Sequence, residues 1–275
     1  MKLNEMRQFE QNLLEMLIEN LKKGGENVAS YIKNYIGIVN NFYKYSARNQ
    51  FLILSQYPKA EYVNSVRGWN KKKRFVKKGE HGIKIYSPVI KEIEKEVEID
   101  MTPAEIEDYA IAHPELSANQ LPKTKKIVQK EKEIVAMMPR TVFDVKQTDG
   151  ERFELEKPKR KNTADKYIAI KNLCKKYGIN TEITDGLKVL PLENKINVFI
   201  GQLAERLLAK HSKLNEINKM DIEIAKLLTL ASIDIKVEDD MEAVLTLWVT
   251  TAQNPVESLL SINKSVAEIV KGIYS

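Results

Sequence analysis

The sequence predicts an α+β protein: N-terminal helices packed on a small antiparallel sheet with a protruding hairpin-and-helix arm, followed by a mostly helical second domain. Three observations predict it. Apolar residues recur at helical spacing up to Pro58, the period changes to two between about Arg74 and Gly150, and helical spacing returns after about Thr163.

In chain order, Phe9, Leu13, Met16, Leu17 and Leu21 form a helical stripe over residues 4–23 that Gly24-Gly25 ends. A second helix runs from about Val28 to Phe42, with Val28, Ile32, Tyr35, Ile36 and Val39 on one side. Ser46 is placed to cap a third, ARNQFLILSQY, which stops before Pro58. RFVKKGEHGIKIYSPV then reads as two short strands joined by a glycine-bounded turn, with Val76, Ile83 and Ile85 facing inward. KEIEKEVEI and KTKKIVQKEKEIVAMM read as antiparallel partners in an exposed arm at about 91–135. Between them, Thr102-Pro103-Ala104-Glu105 is a capping box with proline at the first helical position. TVFDVKQTDG is a strand that completes a first domain at 1–155, and ERFELEKPKRKN is a linker. The second domain, 163–275, begins with a helix at 163–177 and extended pieces at INTEI and LKVLPL. Helices follow near 195–212, 219–232, 239–252 and 256–273.

Composition excludes several classes. With 43% hydrophobic and 30% charged residues the chain suits a globular fold, and no apolar run approaches the roughly 20 residues that span a bilayer. The acids within MKLNEMRQFEQNLLEMLIEN make that segment a helix rather than a secretory leader. The one cysteine, Cys174, allows no internal disulfide, and a cytoplasmic location is expected. Neither a phosphate loop, a dinucleotide fingerprint nor a nucleophile elbow occurs, and His81, His113 and His211 have no metal-binding spacing. No metal and no cofactor are therefore expected.

Charge is unevenly placed. Residues 31–90 hold nine lysines and three arginines against Glu61 and Glu80, a net +10, whereas 181–275 hold ten bases and fourteen acids, a net −4. One half is suited to a polyanion. Within NFYKYSARNQ and RGWNKKKRFVKKGEHGIK the candidate contacts are Tyr43, Lys44, Tyr45, Arg48, Asn49, Arg67, Trp69, Lys71, Lys72, Lys73, Arg74, Lys77, Lys78 and Lys84. Single-stranded nucleic acid is held by cations along the phosphates and by rings on which bases stack. The same pattern also describes aromatic core residues beneath a solvated basic face. Gly79-Glu80-His81-Gly82 has the GxxG spacing of a KH loop, but it joins two strands and reads as a hairpin turn.

YSARNQFLILSQYP, the tryptophan of RGWNKKKRFVKKGEHGIKIYSP, and TVFDVKQTDG together resemble, in order and spacing, the N-terminal single-stranded DNA-binding domain of ArdC-type antirestriction and LtrC-like plasmid proteins. The likeness spans about residues 28–150. It implies that the second domain is similar to a zincin metallopeptidase, with KINVFIGQLAERLLAKH at the HExxH helix and KMDIEIAKLLTLASI supplying an acidic third ligand. Gly201 and Glu205 then stand at the two histidine positions, Gln202 at the general base and Glu223 at the third ligand. Zinc hydrolysis needs about three protein ligands and a base, so the resemblance implies a degenerate zincin-like domain without catalysis.

The expected function is sequence-independent binding of single-stranded DNA without turnover, in the setting of a mobile element. Double-stranded DNA and a host- or plasmid-encoded protein are further candidate partners, and no membrane contact is expected. Two rivals remain: an interaction factor acting through the pseudo-zincin domain, and a metallohydrolase with unrecognised ligands.

Overall fold

Three helices open the chain, α1 (Leu3–Lys22), α2 (Glu26–Asn41) and α3 (Ala47–Gln56). The computed structural model describes residues 2–155, 160–182, 185–213, 217–237 and 239–275. Gly24 and Gly25 adopt positive φ, 66° and 54°, which turns the chain between α1 and α2 at no Cβ cost. Ser46 caps α3 by accepting from Asn49 N. The buried face of α1 differs from the expected stripe: Met6, Glu10, Leu14, Ile18 and Leu21 face inward, while Met16 is exposed. Leucine or isoleucine at both 13/14 and 17/18 offers two stripes, and the one buried is that with Met6 and Leu21, on which Glu10 pairs with Arg48 of α3.

The chain then forms β1 (Val63–Asn64), the short helix α4 (Val66–Lys71), β2 (Arg74–Val76) and the long β3 (Ile83–Asp100). After helix α5 (Pro103–Ala112) it returns along β4 (Thr124–Asp144), makes a 3-10 turn (Val145–Gln147) and ends in β5 (Thr148–Gly150). Two sheets result, ordered β1-β4-β3 and β2-β5. The expected β2–β3 hairpin is thus corrected: β2 and β3 flank a turn but belong to different sheets, and β2 pairs with β5 in the register Arg74↔Gly150 and Val76↔Thr148. Gly150 has φ 136°, and a Cβ there would sit 2.2 Å from Lys73 O, so only glycine fits this joint.

One interaction fixes these strands. Asp144 is fully buried and its carboxylate accepts from Glu61 N (2.7 Å), Tyr62 N (3.0 Å) and Lys146 N (3.0 Å). Gln147 adds a second tie: its Oε1 accepts from Asp144 N, and its Nε2 donates to His81 O and Glu80 Oε2. The segment TVFDVKQTDG therefore holds the 59–62 loop, the 78–82 turn and β5 on one strand end.

The remaining helices are α6 (Thr163–Lys176), α7 (Asp185–Lys188), α8 (Leu192–His211), α9 (Lys219–Ser232), α10 (Met241–Thr251) and α11 (Pro255–Tyr274). The extended pieces expected near 179–192 are corrected, since Asp185–Lys188 is a short helix and 179–182 carry no regular structure; Ile183 lies outside the described residues. α11 is the hub of the bundle, packed against α3, α6, α8 and α9. It buries Leu259, Ile262, Val266, Ile269, Val270 and Ile273, each worth about 2 kcal/mol. Two of its buried serines are satisfied within the helix, Ser261 Oγ donating to Glu257 O and Ser265 Oγ to Ser261 O. The apolar row of α8, from Ile196 through Leu208, is buried as its spacing predicts.

Two compact units emerge, Met1–Ile85 with Pro139–Ser275, and Tyr86–Met138. They do not follow the expected division at 155–163, because α2 and α3 pack against α9 and α11 from beyond that linker; residues 156–159 of it lie outside the described residues. The second unit contains the expected arm. Its strands are tied by Met101 N to Lys123 O (2.8 Å), and the Thr102–Glu105 capping box forms as predicted.

Replacing Asp144 by alanine leaves three part-buried backbone N–H groups without their acceptor. We expect a loss on the order of 3 kcal/mol in urea-induced unfolding, against less than about 0.5 kcal/mol for Glu92→Ala on an exposed site of β3.

Candidate nucleic-acid interface

The fourteen residues expected to contact DNA divide into three groups. Some are structural. Trp69 is 0% exposed, its Nε1 donating to Phe143 O at 2.8 Å and its ring packed with Tyr62 and Phe153 at 5.5 and 5.3 Å. This corrects the expectation that Trp69 stacks a base: α4 carries the indole into the core, and it offers no face to a ligand. Asn49 is buried as well. Arg74 is a clamp between strands, with Nε bonded to Thr148 Oγ1 (2.9 Å) and Nη2 to Thr148 O (2.7 Å), so its donors serve the fold. Arg48 belongs to this group too, its Nε bonded to both oxygens of Glu10 at 2.7 and 2.8 Å.

A second group lies outside the β2-β5 ribbon. Tyr43 meets Tyr274 of α11, with ring centroids 6.1 Å apart and Lys44 over its ring, while Tyr45 is edge-on to Phe42 and burial pushes its phenol up. Both tyrosines are half-buried. Lys84 Nζ donates to Thr141 Oγ1 at 2.7 Å on β4.

The third group forms one cationic surface. Lys71, Lys72, Lys73, Lys77 and Lys78 are exposed along α4, β2 and the turn after it, with Arg67 exposed at the start of α4. Lys73 reaches Glu151 at 2.8 Å and Lys77 lies 3.7 Å from Asp149, pairs worth little in water, whereas Arg67, Lys71 and Lys78 have no acidic partner among the described residues. Amid them Phe75 is 60% exposed, opposite Asp149 on β5. Lys72 Nζ lies 5.1 Å from the Phe153 ring, a second partly exposed aromatic at the end of the β2-β5 ribbon. The sequence reading missed both rings. For Phe75 the signal was present, since placing Val76 inward on a strand turns its neighbour outward.

The positions aligned with a metal site do not suit one. Gly201 and Glu205 lie on α8 and Glu223 on α9. Glycine supplies no donor atom, and Gln202 and Glu205 are exposed on α8. Glu223 is held by Lys226 at 2.6 Å, and the stem of Lys226 lies 3.7 Å from where a Gly201 side chain would begin. The ammonium of Lys226 thus neutralises Glu223, the aligned third ligand, and its stem lies over Gly201. Among the described residues no group of three His, Cys, Asp or Glu side chains is gathered for a metal. Cys174 is buried, which pushes its thiol up to about 11 and suits a structural role.

His211 is part of a polar cluster. Its Nε2 lies 2.6 Å from Glu268 Oε2, and Glu268 also accepts from Lys210 at 2.8 Å and from Tyr177. Partial burial pushes the Glu268 carboxyl up, but bonds from Lys210, Tyr177 and His211 outweigh this and hold it at about 2.

Fold and surface define an α+β protein with one cationic, ring-bearing face on two short strands. Residues 7–143 match the family described as the N-terminal domain of anti-restriction factor ArdC. The chain belongs to this ArdC-type antirestriction family. Two crystal structures of the antirestriction protein ArdC from plasmid R388 are similar. The metal-free form has a TM-score of 0.40 and 13% identity, covering 84% of this chain and 85% of that one. The Mn(II)-bound form has a TM-score of 0.46 and 11% identity, covering 97% and 98%. No curated protein sequence matches. No helix among the described residues is long and apolar enough to cross a membrane.

Two outcomes follow. Trp69→Ala should lose about 3–5 kcal/mol in urea unfolding, while Phe75→Ala should stay within about 0.5 kcal/mol of the parent. A carboxyl with a depressed folded-state pKa stabilises above its unfolded value and loses that contribution on acidification. Glu268 should therefore favour folding above about pH 4.5 and cease to do so as pH falls towards 2. A Glu268→Gln variant should show a smaller loss of thermal stability between pH 5 and 3 than the parent.

Proposed function

We propose that the protein binds single-stranded DNA on the β2-β5 ribbon, largely independently of sequence and without turnover. The observation that carries this reading is Phe75: a solvated ring on a strand whose neighbours are lysines. Exposing such a ring costs apolar hydration, and a base stacked on it recovers about 1–3 kcal/mol. Lys71, Lys72, Lys73, Lys77 and Lys78 supply charge along a backbone, and Arg74, the arginine of β2 itself, is engaged within the fold. Cations without directed base contacts favour binding that ignores sequence.

The non-catalytic part of the proposal rests on chemistry. Gly201 and Gln202 at the aligned ligand and base positions, with Lys226 between Gly201 and Glu223, leave no means to hold an ion and activate water. ArdC proteins are named for antirestriction, and a coat on incoming unpaired DNA is the role we propose for this chain in the cytoplasm of a recipient cell. A second reading is favoured by one feature of the arm. Ile134, Val135, Met137 and Met138 of β4 are all exposed, Ile134 and Met138 on one face of the strand and Val135 and Met137 on the other, apolar surface suited to a protein partner.

Fluorescence anisotropy with a single-stranded oligonucleotide tests the first reading. Affinity should fall steeply from about 50 to 200 mM salt, with a log-log slope of about −0.7 per phosphate contacted. Replacing Lys71, Lys72 and Lys73 by glutamine should flatten that slope, and Phe75→Ala should weaken binding by about 5- to 100-fold with the slope unchanged. A salt-independent affinity, or equal affinity for the duplex, contradicts the proposal.

A further inference from the structure

A cleft of about 390 Å³ opens between α1, α3 and α11, and none of its lining residues belongs to the ribbon. Four cations from four separate segments line it: Arg7 of α1, Arg48 of α3, Lys213 just after α8 and Lys264 of α11. Among the described residues Glu10 is the one acid on its wall and is already bonded to Arg48, so these five side chains carry a net charge of about +3. Lys213 and Lys264 come from the part of the chain that is acidic as a whole. Their convergence with Arg7 is a product of the fold and not of local composition.

The walls are not merely cationic. Leu14, Phe51 and Leu260 give the cleft an apolar side. Asn263 also lines it; the residue is 5% exposed, and its Oδ1 has no hydrogen-bond partner. A buried acceptor left unpaired is costly, so a turn of the Asn263 amide that brings its Oδ1 to a ligand N–H in the cleft would be favoured. The volume falls within the range of small-molecule sites.

We propose that this cleft binds a nucleoside monophosphate unit. Arg7, Lys213 and Lys264 hold the phosphate, the apolar wall takes the sugar and one face of the base, and Asn263 Oδ1 accepts from a base N–H. Inorganic phosphate would use only the cations, and an uncharged nucleoside only the wall and Asn263. The unit can come from a free nucleotide or from the 5′ end of a strand, and the two sources differ in what is attached at the 3′ oxygen.

Isothermal titration of the full chain carrying Phe75→Ala, which weakens the ribbon, separates the cases. The probes are dAMP, dCMP, adenosine, inorganic phosphate and a 5′-phosphorylated hexanucleotide with its unphosphorylated twin. The deoxynucleotides should bind at least about tenfold more tightly than phosphate or adenosine, and Lys264→Glu, a change on an exposed site, should cost at least about tenfold. Asn263→Asp should weaken binding further through charge repulsion while keeping the side-chain shape. If the phosphorylated hexamer outcompetes dAMP and its twin does not, the source is a strand end; if dAMP binds and the hexamer does not, it is the free nucleotide. Equal affinity for phosphate and dAMP, or no loss with Lys264→Glu, overturns the assignment. Because the ribbon is weakened throughout, failure here leaves the β2-β5 reading intact.

Discussion

A buried carboxylate organises the half of the molecule that carries the cationic face. Asp144 accepts three backbone N–H groups from two stretches of chain that lie more than eighty residues apart in one direction and next to it in the other. A buried carboxylate is tolerated when donors surround it, and here the three donors close a loop. Gln147, one 3-10 turn further on, ties the same strand end to the 78–82 turn. Trp69 then docks on Phe143 O, and Arg74 bridges β2 to β5. Together these bonds use the inward groups of the segment from 61 to 82 and leave its lysines and Phe75 outside.

This arrangement explains a division of labour within one stretch of sequence. In RGWNKKKRFVKK the tryptophan and the second arginine build the scaffold, while the lysines and the phenylalanine face water. Arginine suits the scaffold role because its planar fork serves several carbonyl and hydroxyl acceptors at once. Lysine suits the surface because its flexible stem follows a phosphate chain without demanding one geometry.

Much of the fold was legible in the sequence. The helices announced themselves by apolar spacing and caps, Ser46 and Thr102 among them, and the long arm by alternation over β3 and β4. What was hidden was pairing over distance. A three-residue strand carries no register signal, so nothing in RFV named β5 as its partner across seventy-odd residues. The inward face of α1 was ambiguous for a related reason: two apolar stripes lie one residue apart, and the choice between them depends on packing against α2, α3, α10 and α11, most of it far along the chain. The burial of Trp69 follows from a helix of under two turns that periodicity is too short to register. Conversely Gly201, Gln202 and Glu223 were read from alignment with a motif, and the structure adds Lys226, whose place beside Gly201 only packing reveals.

The claim on which the functional account turns is that Phe75, and not Trp69, meets the bases. Tryptophan emission reports on it directly, because both native indoles, Trp69 and Trp248, are buried. In a Phe75→Trp variant, adding a single-stranded oligonucleotide at low salt should quench the introduced indole, while the parent's emission stays unchanged. Quenching in the parent, or none in the variant under conditions where the strand is bound, would contradict the account.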